Sequence, residues 1–239
     1  MRLFRSGFAA FMVLLLLLGL FALLQPWWQV PPQWNPRVPL SLNDPITPIT
    51  RWKMQRLQSA PQQCLALLET AESSALKHLP LEDYTPVAGC PLSNVVRVER
   101  TGIRFNAPFT LSCPVTVSWL MFERQRLQPL AERHLGSPVA RIEHFGTFAC
   151  RNIYHRENAR RSEHASAAAF DVAAFTTQSG EQVSVLKDWS NANATHRSAF
   201  LHAAHEAACD YFGTVLGPDY NAPHANHFHL DNRNFGYCR

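Results

Sequence analysis

The chain has 239 residues, enough for one ordinary domain with an appendage or for two small domains. Its formal charge is +4, and setting aside Arg2 and Arg5 leaves +2, too even a balance to suggest a nucleic-acid partner. Hydrophobic residues make up 46% of the chain; many sit in one N-terminal run, and the rest still suffice for a core.

That run extends from Phe8 to Leu24, and no charged residue stands between Arg5 and Arg37. Basic residues before it and Trp27 and Trp28 after it are the flanks of a signal-anchor. Residues 1–24 are therefore expected to hold a transmembrane helix over 8–24, N-terminus inside. A cleaved secretory peptide is the competing reading, but its apolar region is normally shorter and no small-x-small cleavage site follows Phe21. Either way the remainder is exported. In a Gram-negative cell that means single-pass attachment to the inner membrane, with the C-terminal domain in the periplasm. Residues 25–50 carry seven prolines and no glycine, the composition of a semi-rigid spacer, which places the domain proper at 51–239.

Six cysteines, Cys64, Cys90, Cys113, Cys150, Cys209 and Cys238, all follow the anchor, and no Cys-x-x-Cys occurs among them. An even number in an exported chain points to three disulfides. Spacing does not choose among the 15 possible pairings; the expectation adopted is sequential, Cys64–Cys90, Cys113–Cys150 and Cys209–Cys238.

Gln63–Ala75 places Leu65, Leu67, Leu68 and Ala71 at helical spacing. Asn94–Phe105 alternates around Thr101-Gly102, as two short strands or one hairpin do. Val115–His134 reads as a helix, kinked or broken at Pro129 and ended by Gly136. Val139–Cys150 reads as a strand, Phe170–Thr177 and Gln182–Leu186 as a hairpin, and Arg197–Phe212 as a helix closed by Gly213. The sum is an α+β fold, a small antiparallel sheet flanked by helices and stapled by disulfides.

Two stretches carry the chemistry. Arg161–Val172 holds His164 and Asp171, and His224–Asp231 holds His224, His227 and His229. Alternation in a strand His227–Asp231 puts His227, His229 and Asp231 on one face. Histidine is the commonest zinc ligand, and catalytic zinc takes three protein ligands plus an open position. Together the two stretches can supply such a shell, with a histidine to spare as proton acceptor or as a group stabilising a tetrahedral intermediate. By contrast, His78, His134, His144, His155 and His196 carry no pattern. His202-Ala-Ala-His205-Glu206 reads as the solvated face of a helix, and Gly-x-Ser-x-Gly is absent.

Ser162-x-His164-x4-Ala169-x-Asp171, followed by His227-x-His229, resembles the zinc peptidases grouped with lysostaphin and the D-Ala-D-Ala peptidases, which cut peptide bonds in bacterial peptidoglycan. The spacing His224-x-x-His227-x-His229 is similar to that of the penicillin-insensitive murein endopeptidase. Phe212-Gly-Thr-Val-Leu-Gly-Pro218, His227-Phe-His-Leu-Asp231 and the terminal Tyr237-Cys238-Arg239 resemble the bacterial extensin-like C-terminal domain family, over Ala60–Arg239. The resemblance implies one Zn2+ held by His164, Asp171 and His229, a catalytic His227 and a helper His224. It also implies a substrate-binding Arg151, with Ser162 and Asp231 orienting the ligands. The family has glycine three residues after its first histidine where this chain has Ala167, a strain of ~1 kcal/mol if that position takes positive φ. No Glu-x-x-His is present to supply a glutamate base. The implied activity is a membrane-anchored, periplasmic, zinc-dependent endo- or carboxypeptidase acting on peptidoglycan stem peptides. A non-catalytic wall-binding or envelope scaffold module that keeps the metal site is the reading from another class.

Overall fold

The computed structural model describes the backbone of residues 2–24, 30–233 and 236–239, with side chains from residue 11 onward. Trp27 and Trp28, the expected interface aromatics, lie outside the described residues. Helix α1 (Arg2–Leu24) is continuous, its side chains described from Phe11. Among the described residues no helix is long and apolar enough to cross a membrane.

The proline-rich stretch is tied to the domain. Lys53 Nζ donates to Pro32 O at 2.8 Å, and Gln125 Nε2 donates to the carbonyls of Leu42 and Asp44 at 3.1 Å. Leu40, Leu42 and Ile46 pack against the core.

Helices α2 (Pro48–Arg56) and α3 (Pro61–Leu68) precede strands β1 (Leu76–Pro80), β2 (Tyr84–Val87), β3 (Cys90–Leu92), β4 (Val95–Thr101) and β5 (Arg104–Ser112). Then come α4 (Cys113–Phe122), α5 (Gln128–Leu135), β6 (Val139–Gly146), β7 (Ala169–Thr177), β8 (Gln182–Ser184) and α6 (Val185–Asp188). Helix α7 (Thr195–Ala208), β9 (Thr214–Leu216), β10 (Phe228–Asp231) and β11 (Tyr237–Cys238) complete the chain. Most expected elements form, with shifted ends. The helix expected over Gln63–Ala75 stops at Leu68. Pro129 does not break the long helical run: a wide π-turn over Glu123–Leu127 joins α4 to α5 ahead of it. Gly136, at φ 67, ends that run in the left-handed region that favours glycine.

The α+β class holds, but the sheet is neither small nor purely antiparallel. Among the described residues it has nine strands in the order β1-β4-β5-β6-β7-β10-β9-β11, with β8 paired to β7. β5 runs parallel to β6 and β9 parallel to β11. The first parallel pair arises because α4 and α5 form a crossover between its strands, a relation that alternation within one strand does not encode.

Disulfides join Cys64 to Cys113, Cys90 to Cys150 and Cys209 to Cys238. Only the last follows the sequential expectation; the first four cysteines exchange partners. α3 packs on α4 and so brings Cys64 to Cys113, leaving Cys90 to meet the loop after β6. That loop begins the approach to Arg151.

The core centres on Phe170 of β7, which stacks on Phe109 at 4.8 Å and meets the edge of Trp119 at 5.1 Å. α4, buried along its whole length, lies behind it. One acid is buried there too. Trp119 Nε1 donates to Glu123 at 2.8 Å, the Thr101 hydroxyl donates to the same carboxyl, and a Cβ on Gly102 would stand 2.7 Å from it. Burial pushes the Glu123 pKa up to about 7, against the hydrogen bonds that pull it down. A raised carboxyl favours the fold while protonated, so its contribution is complete below the ordinary value and fades as pH rises to about 7. Glu123→Gln should abolish a loss of ~3 kcal/mol that the native chain suffers across that window. Denaturant melts at pH 4.5 and pH 7.5 measure this; parallel pH dependence in the two proteins would contradict it.

Candidate metal centre

One row of residues crosses four strands: Gly146 of β6, Asp171 of β7, His229 of β10 and Leu216 of β9 stand opposite one another in register. Strand alternation sends Phe228 and Leu230 to the core and His229 and Asp231 to the other face. His164 reaches the row from a short turn, Glu163–Ser166, whose entry is capped by Ser162 Oγ accepting from the His164 backbone N–H at 3.4 Å. Ala167 then reverses the chain into β7 with φ 52 and ψ 31.

The side chains converge. His164 Nε2 lies 3.1 Å from Asp171 Oδ2 and 3.2 Å from His229 Nδ1, and His229 Nδ1 lies 3.0 Å from Asp171 Oδ1. Tetrahedral zinc with ligands at its usual bond lengths has ligand–ligand edges of ~3.3 Å, so these separations suit one ion. The tautomers fit as well. His164 Nδ1 donates to Thr147 O at 3.2 Å and His229 Nε2 donates to Asp231 Oδ2 at 3.0 Å. Each ring thus spends its proton outward and turns a lone pair toward the other and toward a carboxylate. Such a cluster calls for a cation. Burial alone would lower the His229 pKa, yet hydrogen bonds to Asp171 and Asp231 hold it up at about 9. Asp171 is likewise held far below the usual carboxylate range by His164 and His229 in spite of its burial. The donor set fits zinc.

The neighbouring histidines are neutral. His227 Nδ1 donates to Asn226 Oδ1 at 2.8 Å, which leaves its Nε2 bare at 3.5 Å from Asp171 Oδ1. Burial lowers its pKa. His224 Nδ1 donates to Asn221 Oδ1 at 2.6 Å, and burial, then the charge of His229, pull it down to about 4. Both rings line an open pocket of about 510 Å³ together with the triad, Arg151, Tyr154 and Tyr220. Arg151 pairs with no acid among the described residues. Phe145, 61% exposed, sets its ring 5.7 Å from His227.

Over residues 62–239 the chain matches the family profile described as extensin-like protein C-terminus. It belongs to that family. No curated protein and no solved structure matches it.

All eight expected site residues of this extensin-like domain line the pocket: His164, Asp171, His229, His227, His224, Arg151, Ser162 and Asp231. Ser162 acts differently from expectation, capping the turn that carries His164 instead of touching an imidazole. Thr147 O does the orienting on that side. The His202–Glu206 face needs correction too. His202 is exposed against Trp189, but His205 is buried under Gly217, where a Cβ would come within 2.9 Å of its ring. His205 also groups with Cys209 and Cys238, whose sulfurs are joined to each other and so closed to metal.

Ala167 does take positive φ. Relief of left-handed strain by Ala167→Gly, about 1–2 kcal/mol, is offset by a lost buried methyl worth ~0.8 and by ~0.4–1 of unfolded-chain entropy. The glycine variant should therefore melt within about 1 kcal/mol of the native chain. Ala167→Val, branched in a left-handed and fully buried position, should lose more than about 2 kcal/mol and weaken metal binding. Asp231→Asn should weaken zinc affinity ~10–100-fold in a chelator competition while the fold persists; unchanged affinity would remove Asp231 from the site.

Proposed function

We propose that this extensin-like domain is a zinc-dependent peptidase acting on peptidoglycan stem peptides, anchored by its N-terminal helix to the inner membrane and facing the periplasm. One observation carries the reading: two inward lone pairs and a carboxylate, 3.0–3.2 Å apart, in an open pocket. The likeness of its His/Asp and His-x-His spacing to the lysostaphin and D-Ala-D-Ala peptidases supports the substrate class. The N-terminal apolar run and three disulfides favour an exported site of action.

His164, Asp171 and His229 would hold the ion. Zinc in that position supplies Lewis-acid polarisation of a carbonyl and lowers the pKa of water. The chain's own residues do the rest. His227, neutral with a bare Nε2, takes a proton from the attacking nucleophile and returns it to the leaving amine. Arg151, with no acid partner among the described residues, is free to hold a substrate carboxylate or carbonyl oxygen.

The test combines metal analysis with muropeptide digestion followed by mass spectrometry. The native protein should carry one zinc and shorten or uncouple stem peptides. His229→Ala should lose both metal and activity. His227→Ala should keep the metal and lose ~10²–10⁴-fold in kcat. Stoichiometric zinc with no cleavage of any muropeptide would replace the peptidase with the wall-binding module.

A further inference from the structure

A single arginine stands between two hollows. The pocket at the metal centre and a second one of about 290 Å³ share two wall residues, Glu163 and Arg233. The second hollow is of mixed character, with Ser93, Asn94, Asn232 and Arg160 on its walls beside Pro114 and Val115. Arg233 is fixed at their border because its backbone N–H donates to Asp231 Oδ1 at 2.8 Å.

Its side chain is poorly satisfied. A guanidinium offers five donors. Among the described residues its one ion pair is with Glu163, at 3.7 Å, and Glu163 is engaged more closely by Arg160. Arg233 Nε is buried and without a partner among the described residues, yet the Arg233 side chain is 28% exposed on the walls of both hollows. A guanidinium so placed, sharing its one acid with a second arginine, is suited to a carboxylate on a bound peptide. The charges of Arg160 and Arg233 exceed that of Glu163, which favours a carboxylate on that peptide over an ammonium.

We propose that the substrate groove continues from the metal centre past Arg233 into the second hollow, and that Arg233 reads a side-chain carboxylate of the bound peptide. This rests on the peptidase reading for its substrate, but not for its test. The probes are two synthetic alanine-based pentapeptides identical except for one central Glu or Gln, titrated calorimetrically into detergent-solubilised full-length protein stripped of metal with EDTA. The acidic peptide should bind roughly tenfold more tightly, the scale of one charge-assisted contact. Arg233→Gln should erase the preference and Arg233→Lys should keep part of it. Ser93→Trp, an exposed position, should weaken pentapeptide binding by filling the second hollow, while leaving the affinity for an alanine dipeptide unchanged. Circular dichroism melts establish that each variant folds. Equal affinity for the two pentapeptides, no binding of either, or a preference that survives Arg233→Gln would overturn the proposal. A preference lost in Arg233→Gln, beside a complete failure to cut muropeptides, would sink the peptidase and leave the peptide groove standing.

Discussion

The constraint on which the site depends is the pairing of His229 with Asp171 across β10 and β7. Opposite residues of an antiparallel pair stand close enough to interact directly, and a slip of β10 by one residue would turn His229 into the core and away from Asp171. Phe170 and Leu230, which are buried against the hydrophobic cluster, forbid that slip. Burial of the apolar neighbours thus fixes the register of the polar ones. The same residues that stabilise the sheet also force a carboxylate and an imidazole into contact, whatever that contact costs without an ion.

His164 is held by main chain more than by side chain. Gly146 sits beside Asp171 at φ 114, a conformation that favours glycine, and delivers Thr147 beneath the His164 ring. Ala149 N–H donates to His164 O at 3.0 Å, so the strand end and the capped turn brace each other. The Cys90–Cys150 bond closes a separation of 60 residues next to this brace, a loop length at which a disulfide contributes ~4 kcal/mol through the unfolded chain. Its effect on the site is indirect but physical: it anchors the segment from which both the Thr147 carbonyl and Arg151 approach the pocket.

This explains what the sequence disclosed and what it withheld. That His164, Asp171, His227, His229 and Asp231 share one pocket was legible because metal-binding patterns use particular side chains, and because strand alternation sorts neighbours onto faces. Thr147 was not, since any residue has a carbonyl and the role is assigned by where the backbone passes. The exchange of Cys64 and Cys90 partners was hidden for a related reason: the choice follows from α3 packing on α4, a tertiary fact. The parallel pair β5–β6 was hidden behind its crossover. Arg233 gave no signal at all, standing two residues past the last motif position in a stretch without periodicity.

The electrostatics divide the site into two halves that are wired differently. The ligand half is self-contained: Asp171 is depressed, His229 is raised, and each shift is caused by the other members and by Asp231. The other half, His227 and His224, is neutral because it is buried and because positive charge already sits next door. Under the proposed peptidase reading, the bare His227 imidazole would accept a proton beside the ion and, once charged, be driven by its neighbours to give it up.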